Sequence, residues 1–242
     1  EKELQIIAEL ADRYDAVVVE DLAYFGMDFR HDYGQPGVAP YQPTVARYTD
    51  NYILLLSASK IFSYAGQRIG MMIISEKLRT KHYPALKNYF SSDVLGHFIP
   101  YGVLYATTAG TSHSAQYALA AMLKAANDGE INFTESLHPY GEKARAMKEI
   151  FLKHGFYIVY NDEDGDLADG FYFTIAYPGM TSAELMKAFL YYGISAISLA
   201  ITGSANPNGL RACVSFVRPE QIPELDKRLT AFVGEIELEN DK

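Results

Sequence analysis

The sequence has a single cysteine, Cys213, and no tryptophan. One thiol cannot close an intramolecular disulfide, so a reducing compartment is the natural setting. Positive charge is scarce as well: 21 Lys and Arg stand against 30 Asp and Glu, a formal net charge of −9. Holding a nucleic-acid backbone takes a basic patch, and no Lys/Arg cluster is present, so nucleic acid is not expected as the main partner. No apolar run reaches the ~20 residues of a membrane span. The opening stretch, EKELQIIAELADRYD, is a charged amphipathic helix pattern without a signal peptide's apolar core. No membrane contact is expected, and the cytoplasm is the expected location. His31, His82, His97, His113, His138 and His154 show no ligand spacing such as H-x-x-x-H, so no metal site is expected.

What the chain does have is length and apolar content. Its 242 residues, 49% of them hydrophobic, can bury a substantial core. It opens directly on helix-like residues, the texture of the middle of a longer protein. Leu4, Ile6, Ile7, Leu10 and Ala11 recur at helical spacing and predict a helix over 2–14. AVVVED, 16–21, reads as a buried strand ending in acids. NYILLL, 51–56, and GMMIIS, 70–75, read as two more strands. The Gly/Pro-rich stretch 30–44 reads as a loop. Helices are expected over 76–92 and 114–128. This order fits an α/β sheet with flanking helices.

Beyond about residue 130 the pattern changes to an α+β unit. A long helix is expected over 134–154, strands near 156–160 and 170–177, and a helix near 181–192. Two strands, 194–198 and 210–217, and a last helix from 219 to 236 follow. The expected division is 1–128 and 129–242. Cys213 alternates within a strand and is expected to be buried and inert.

The chemistry concentrates in SASKIFSYAGQRIG, 57–70, just past the second strand, where α/β sheets place their ligands. Lys60 there has three readings. It could be a solvated surface charge. Ser57 to Lys60 matches the S-x-x-K of a serine acyl-enzyme, but no K-T-G partner exists. Or Lys60 could be the amine of a Schiff base with pyridoxal 5'-phosphate. That cofactor needs hydroxyl and cation partners for its phosphate and an acid for its pyridine nitrogen. Ser57 and Arg68 flank Lys60, and Asp21 ends the preceding strand. AVVVED also matches a Walker B strand, but no G-x-x-x-x-G-K-[ST] accompanies it.

The combination S-x-S-K-x-F-x-x-x-G-x-R-I-G is carried by Ser57, Ser59, Lys60, Phe62, Gly66, Arg68, Ile69 and Gly70. With a strand ending Asp21-Leu22-Ala23-Tyr24 before it, the chain resembles the class I/II aminotransferases of the pyridoxal-phosphate-dependent fold-type I superfamily. The resemblance implies a fold: the C-terminal part of the large-domain sheet with its helices, then a small α+β domain. It implies transfer of an amino group between an amino acid and a 2-oxo acid, in a homodimer. It implies that Lys60 forms the Schiff base and moves the proton, that Asp21 pairs with the ring nitrogen, and that Tyr24 donates to the ring's phenolic oxygen. Ser57 and Arg68 would bind the phosphate. Arg211, in GLRACVSFV, would grip the substrate α-carboxylate, a role guanidinium geometry suits. Arg218 is a nearby rival. Glu20 should face away from Asp21 because strand side chains alternate, and is expected to be structural.

The family also has an N-terminal portion that completes the phosphate cradle and the sheet, and no counterpart lies in this sequence. The same lysine could drive a β-lyase on the same fold. A fragment with half a cofactor site could also serve as a non-catalytic partner-binding piece.

Overall fold

A computed structural model describes residues 1–31, 36–161 and 170–240. Residues 32–35 of the expected 30–44 loop lie outside the described residues. The chain divides into two compact units: Glu1–Gly26 with Asp32–Ser136, and Met27–His31 with Leu137–Lys242.

In the first unit, α1 (Lys2–Tyr14) buries Ala8 and Ala11 and ends where Asp15 turns left-handed, at φ 47°. A short polar side chain tolerates that conformation better than most. β1 (Val18–Leu22), β2 (Tyr52–Ser57) and β3 (Gly70–Ile74) form a three-stranded sheet in that order. β1 runs parallel to β2, with Asp21 opposite Leu55. β3 runs antiparallel, with Gly70 opposite Ser57. Ala8, Leu22, Val45 and Leu54 form one apolar cluster against this sheet. Asp12 anchors the entry to β2: its Oδ1 accepts from Thr49 Oγ1 at 2.6 Å and from Asn51 Nδ2 at 2.9 Å.

β2 leads straight into the four-residue α2 (Ala58–Ile61). The helix expected over 76–92 is broken. α3 (Glu76–Thr80) ends early, and Pro84–Asn88 forms only a 3-10 turn. Tyr83, just before Pro84, is extended at φ −123°, as the residue before a proline is driven to be. Two short pieces, α4 (Leu95–His97) and α5 (Ala106–Thr108), then flank a π-helical stretch, Phe98–Tyr105. α6 (His113–Asn127) closes the unit, packing Ala115 and Leu119 against Ala58 and Ile69.

Apolar surface is left open on this unit. β1 and β3 are the outer strands, and Val19, Met72 and Ile73 are 57%, 49% and 44% exposed. Outer strands that expose apolar side chains are sheet edges without their usual cover. Among the described residues no helix is long and apolar enough to cross a membrane.

The second unit contains α7 (His138–Lys153), β4 (Tyr157–Ile158), β5 (Tyr172–Ala176), α8 (Ser182–Tyr191), β6 (Ile197–Ser198), β7 (Leu210–Cys213) and α9 (Ile222–Asn240). Its four strands pair antiparallel in the order β4-β5-β7-β6. Phe173, Ile175, Leu210 and Ala212 alternate onto one face and pack with Phe151, Phe189, Leu229 and Phe232 of the helices. α8 starts on a capping box between Thr181 and Glu184. β7 stops at Cys213, short of the expected 217, because the chain folds back there and the Val217 N–H reaches Val214 O at 3.3 Å. Cys213 is therefore half-buried, where full burial was expected, with its Sγ 3.1 Å from Ser215 Oγ.

Candidate active site

Strand direction decides where the motif residues go. β1 and β2 run the same way, so their carboxyl ends share one edge of the sheet. β3 runs the opposite way, so its first residue lies at that same edge. Asp21 is next to last in β1, Ser57 is last in β2, Lys60 sits on α2 directly beyond, and Arg68 stands two positions before β3 begins. Ligands of open α/β sheets bind at this kind of edge.

The turns that hold these groups are locally built. Asp21 Oδ1 accepts from the Ala23 N–H at 3.0 Å, which folds the chain over at the end of β1 and brings Tyr24 back over the edge. Ser57 is the N-cap of α2, its Oγ accepting from the Ser59 N–H at 3.1 Å. That bond leaves the Ser57 hydroxyl hydrogen to donate elsewhere, and it uses the backbone of Ser59, not its hydroxyl. Lys60 Nζ lies 5.8 Å from the centre of the Tyr24 ring. Arg68 is left-handed at φ 53°, and one of its Nη groups donates to Ala65 O at 2.8 Å. The other guanidinium N–H groups face a solvent-exposed edge. Gly70 carries no side chain for a steric reason: a Cβ there would stand 2.7 Å from Leu56 O, in the neighbouring strand. Any other residue would push β3, and Arg68 with it, away from β2.

Among the described residues, Asp21, Lys60 and Arg68 form no ion pair with each other or with any other side chain. One carboxylate and two cations thus converge without cancelling. Among the described residues Lys60 makes no hydrogen bond to Ser57, so the base-to-nucleophile bond that S-x-x-K chemistry requires is not made.

Glu20, beside Asp21, points to the other side of β1. Its Oε2 accepts from the Val45 N–H at 2.9 Å and ties the loop before β2 to the sheet. Burial raises its pKa above the ordinary 4.5, with the Val45 N–H pulling the other way. The folded protein therefore keeps a proton at a pH where the unfolded chain has lost it. This group's contribution to stability falls as pH rises through the window just above 4.5. Glu20→Gln keeps an acceptor for Val45 and removes the titration. Its melting temperature relative to wild type should rise between about pH 4 and about pH 7; a difference that stays constant with pH would contradict this.

The second unit carries Arg211 on the face of its sheet opposite the core. Leu210 and Ala212 point into the core, so Arg211 points out, between Thr174 of β5 and Ile197 of β6. Gly209 allows the tight approach to β7: it takes φ +121°, and a Cβ there would meet Val159, Leu199 and Ile175 O at 2.8–3.0 Å. Arg211 is half-buried, its Nε is buried without a hydrogen-bond partner, and its guanidinium carbon lies 4.2 Å from the centre of the Tyr172 ring. Its rival, Arg218, is paired with Glu220 at 2.9 Å. Tyr172 was not singled out from the sequence. It is the diagonal cross-strand neighbour of Arg211, a relation that exists only once β5 and β7 are in register.

The family model described as aminotransferase class I and II matches residues 1–229. The fold is similar to an aromatic aminotransferase from Pyrococcus horikoshii, with TM-score 0.71 and 18% identity over 98% of this chain and 56% of that one. It is similar to an alpha-aminoadipate aminotransferase from Thermus thermophilus, solved with N-(5'-phosphopyridoxyl)-L-leucine. There the TM-score is 0.67 and the identity 18%, over 96% of this chain and 54% of that one. An aspartate aminotransferase from Thermotoga maritima gives 0.65 and 16%, over 97% and 52%. At such identities the likeness establishes the fold. The chain spans about half the length of these structures. No curated protein gives a significant match.

Proposed function

Because the chain belongs to the class I and II aminotransferase family, we propose that it carries the lysine-bearing part of a pyridoxal 5'-phosphate-dependent aminotransferase. The enzyme would move an amino group between an amino acid and a 2-oxo acid. One observation carries the reading: Asp21, Tyr24, Ser57, Lys60 and Arg68, drawn from separate elements, gather at a single sheet edge, and among the described residues the three charged groups form no ion pair.

The donor set fits the cofactor. An aldehyde needs an amine, a pyridine nitrogen needs an acid, and a phosphate needs hydroxyl and guanidinium donors. Lys60, Asp21, and the pair Ser57 and Arg68 are those groups. When bound, pyridoxal phosphate supplies an electron sink for charge developing at the substrate α-carbon. Asp21 would pair with the ring nitrogen and favour its protonated form. The Lys60 amine would hold the cofactor's aldehyde and, when free, would serve as the base for the substrate α-proton. The Tyr24 hydroxyl donates to the phenolic oxygen. Ser57 and Arg68 would hold the phosphate. In the second unit the unpaired Nε and the outward position of Arg211 suit it to a carboxylate.

The rest of the site and the cover for β1 and β3 would come from the remainder of the enzyme, in keeping with the half-length match. The exposed Tyr101, Val103, Leu104 and Tyr105 favour a homodimer. The test is a screen of amino donors against 2-oxoglutarate and oxaloacetate, with the complete cofactor-loaded enzyme. Product formation should require the 2-oxo acid. Release of ammonia and a 2-oxo acid from an amino acid alone would identify a β-lyase instead. An absence of both reactions would support a non-catalytic piece.

A further inference from the structure

Arg211 has an unusual environment for a half-buried cation. Among the described residues its side chain has no carboxylate partner and no hydrogen bond, and its Nε is buried without an acceptor. What touches it is an aromatic face, with the Tyr172 ring centre 4.2 Å from the guanidinium carbon, well inside cation–π range. We propose that Tyr172 is a positioning residue for substrate binding, holding Arg211 by the face of its guanidinium so that the N–H edge is oriented for a ligand carboxylate. This rests on the reading of Arg211 as the carboxylate-binding group.

The physical case is one of elimination. A long flexible arginine must be held in one orientation if a bidentate pair with a carboxylate is to form without a large loss of side-chain entropy. The usual device is an acid partner, but an acid would occupy the N–H edge and neutralise the charge, in direct competition with the ligand. An aromatic ring restrains the guanidinium plane through its face and consumes no N–H donor. The register makes the contact fixed rather than incidental. Thr174 is opposite Arg211 and Tyr172 is opposite Cys213, so Tyr172 is diagonal to Arg211 on the outer face of β5 and β7. Tyr172 is not part of the core packed under the sheet, where its strand neighbours Phe173 and Ile175 lie. With no acid partner among the described residues, the guanidinium keeps its charge for a ligand, which favours a carboxylate over a neutral group.

The test uses the complete cofactor-loaded enzyme and the 2-oxo acid that turns over fastest in the screen above. Tyr172→Leu should raise KM for that acid about tenfold, within the range a cation–π contact supports, with kcat changed less than about twofold. Tyr172→Phe, which keeps the ring and loses the hydroxyl, should stay within about twofold of wild type in both. Both variants should melt near the wild-type temperature without ligand. If Tyr172→Leu does not fold, Tyr172→Met, similar in volume and without a ring face, replaces it. An unchanged KM in the ring-free variant overturns the proposal. So does an equal loss in Tyr172→Phe, which would assign the effect to the hydroxyl. Arg211→Gln separates the two levels: if it leaves KM unchanged, Arg211 is not the carboxylate group and the premise fails first. An absence of turnover in the wild type would sink the aminotransferase reading and this proposal with it.

Discussion

Replacing Lys60 with alanine should cost at least about a thousandfold in amino transfer, because on the proposed reading it removes both the amine that would hold the cofactor and the base that would move the proton. Proton transfer by a positioned side chain is alone worth a factor of roughly a hundred to ten thousand. Lys60→Arg should not recover the loss. A guanidinium stays protonated and cannot act as a nucleophilic amine. The fold should be indifferent to either change, since Lys60 is half-buried, sits on a short helix capped by Ser57, and makes no ion pair among the described residues. The stability difference should stay within about 0.5 kcal/mol. Two readouts separate chemistry from structure. Borohydride reduction of the cofactor-loaded wild type should leave the cofactor's mass on the peptide containing Lys60, and denaturant melts should overlay. Recovery of that mass on a different lysine, with Lys60 unmodified, would remove Lys60 from its role.

Asp21→Asn should lower turnover about a hundredfold to a thousandfold, the usual cost of removing one electrostatic stabiliser at a reacting centre. The asparagine oxygen can still accept from the Ala23 N–H, so the turn that brings Tyr24 over the edge is kept. What is lost is the negative charge that, on the proposed reading, would keep the ring nitrogen protonated. A shift of one pKa unit in that nitrogen corresponds to about 1.4 kcal/mol, or tenfold in the protonated fraction. Asp21→Glu keeps the charge but lengthens its reach, and should fall between the two. Cofactor retention after dialysis, read by absorbance, should fall less than kcat does. If Asp21→Asn lost cofactor and fold together while Asp21→Glu matched it, the carboxylate would be a structural group rather than a partner of the ring.

Much of the candidate site lies in short stretches of the sequence. Lys60, Ser57 and Arg68 lie within one short stretch, and Asp21 and Tyr24 within another. Each stretch is an element end shaped by its own backbone and cap bonds, so nearby residue types are enough to suggest it. The broken helix over 76–92 was misread because periodicity was followed through Pro84, and the backbone at Tyr83 could not comply. The π-helical Phe98–Tyr105 left no periodic trace, because its apolar residues run almost without interruption. Tyr172 was invisible for another reason. Its importance depends on a partner in a strand far along the chain, and the pairing offset is decided by which face of each strand is buried.

The sequence by itself determined the chemical inventory and the local geometry. It set an amine beyond one strand, an acid and a tyrosine at the end of another, a serine to cap the turn, and glycine where β3 must lie against β2. All but the glycine depend on sterics and hydrogen bonds between residues a few positions apart; the glycine answers to Leu56 O in the neighbouring strand. Only the tertiary structure decided that β3 runs antiparallel, bringing Arg68 to the same edge as Lys60, and that Arg211 rests on an aromatic face instead of an acid while Arg218 is paired with Glu220. Those outcomes follow from the burial of whole strand faces, a condition on distant residues jointly that no short stretch of sequence contains.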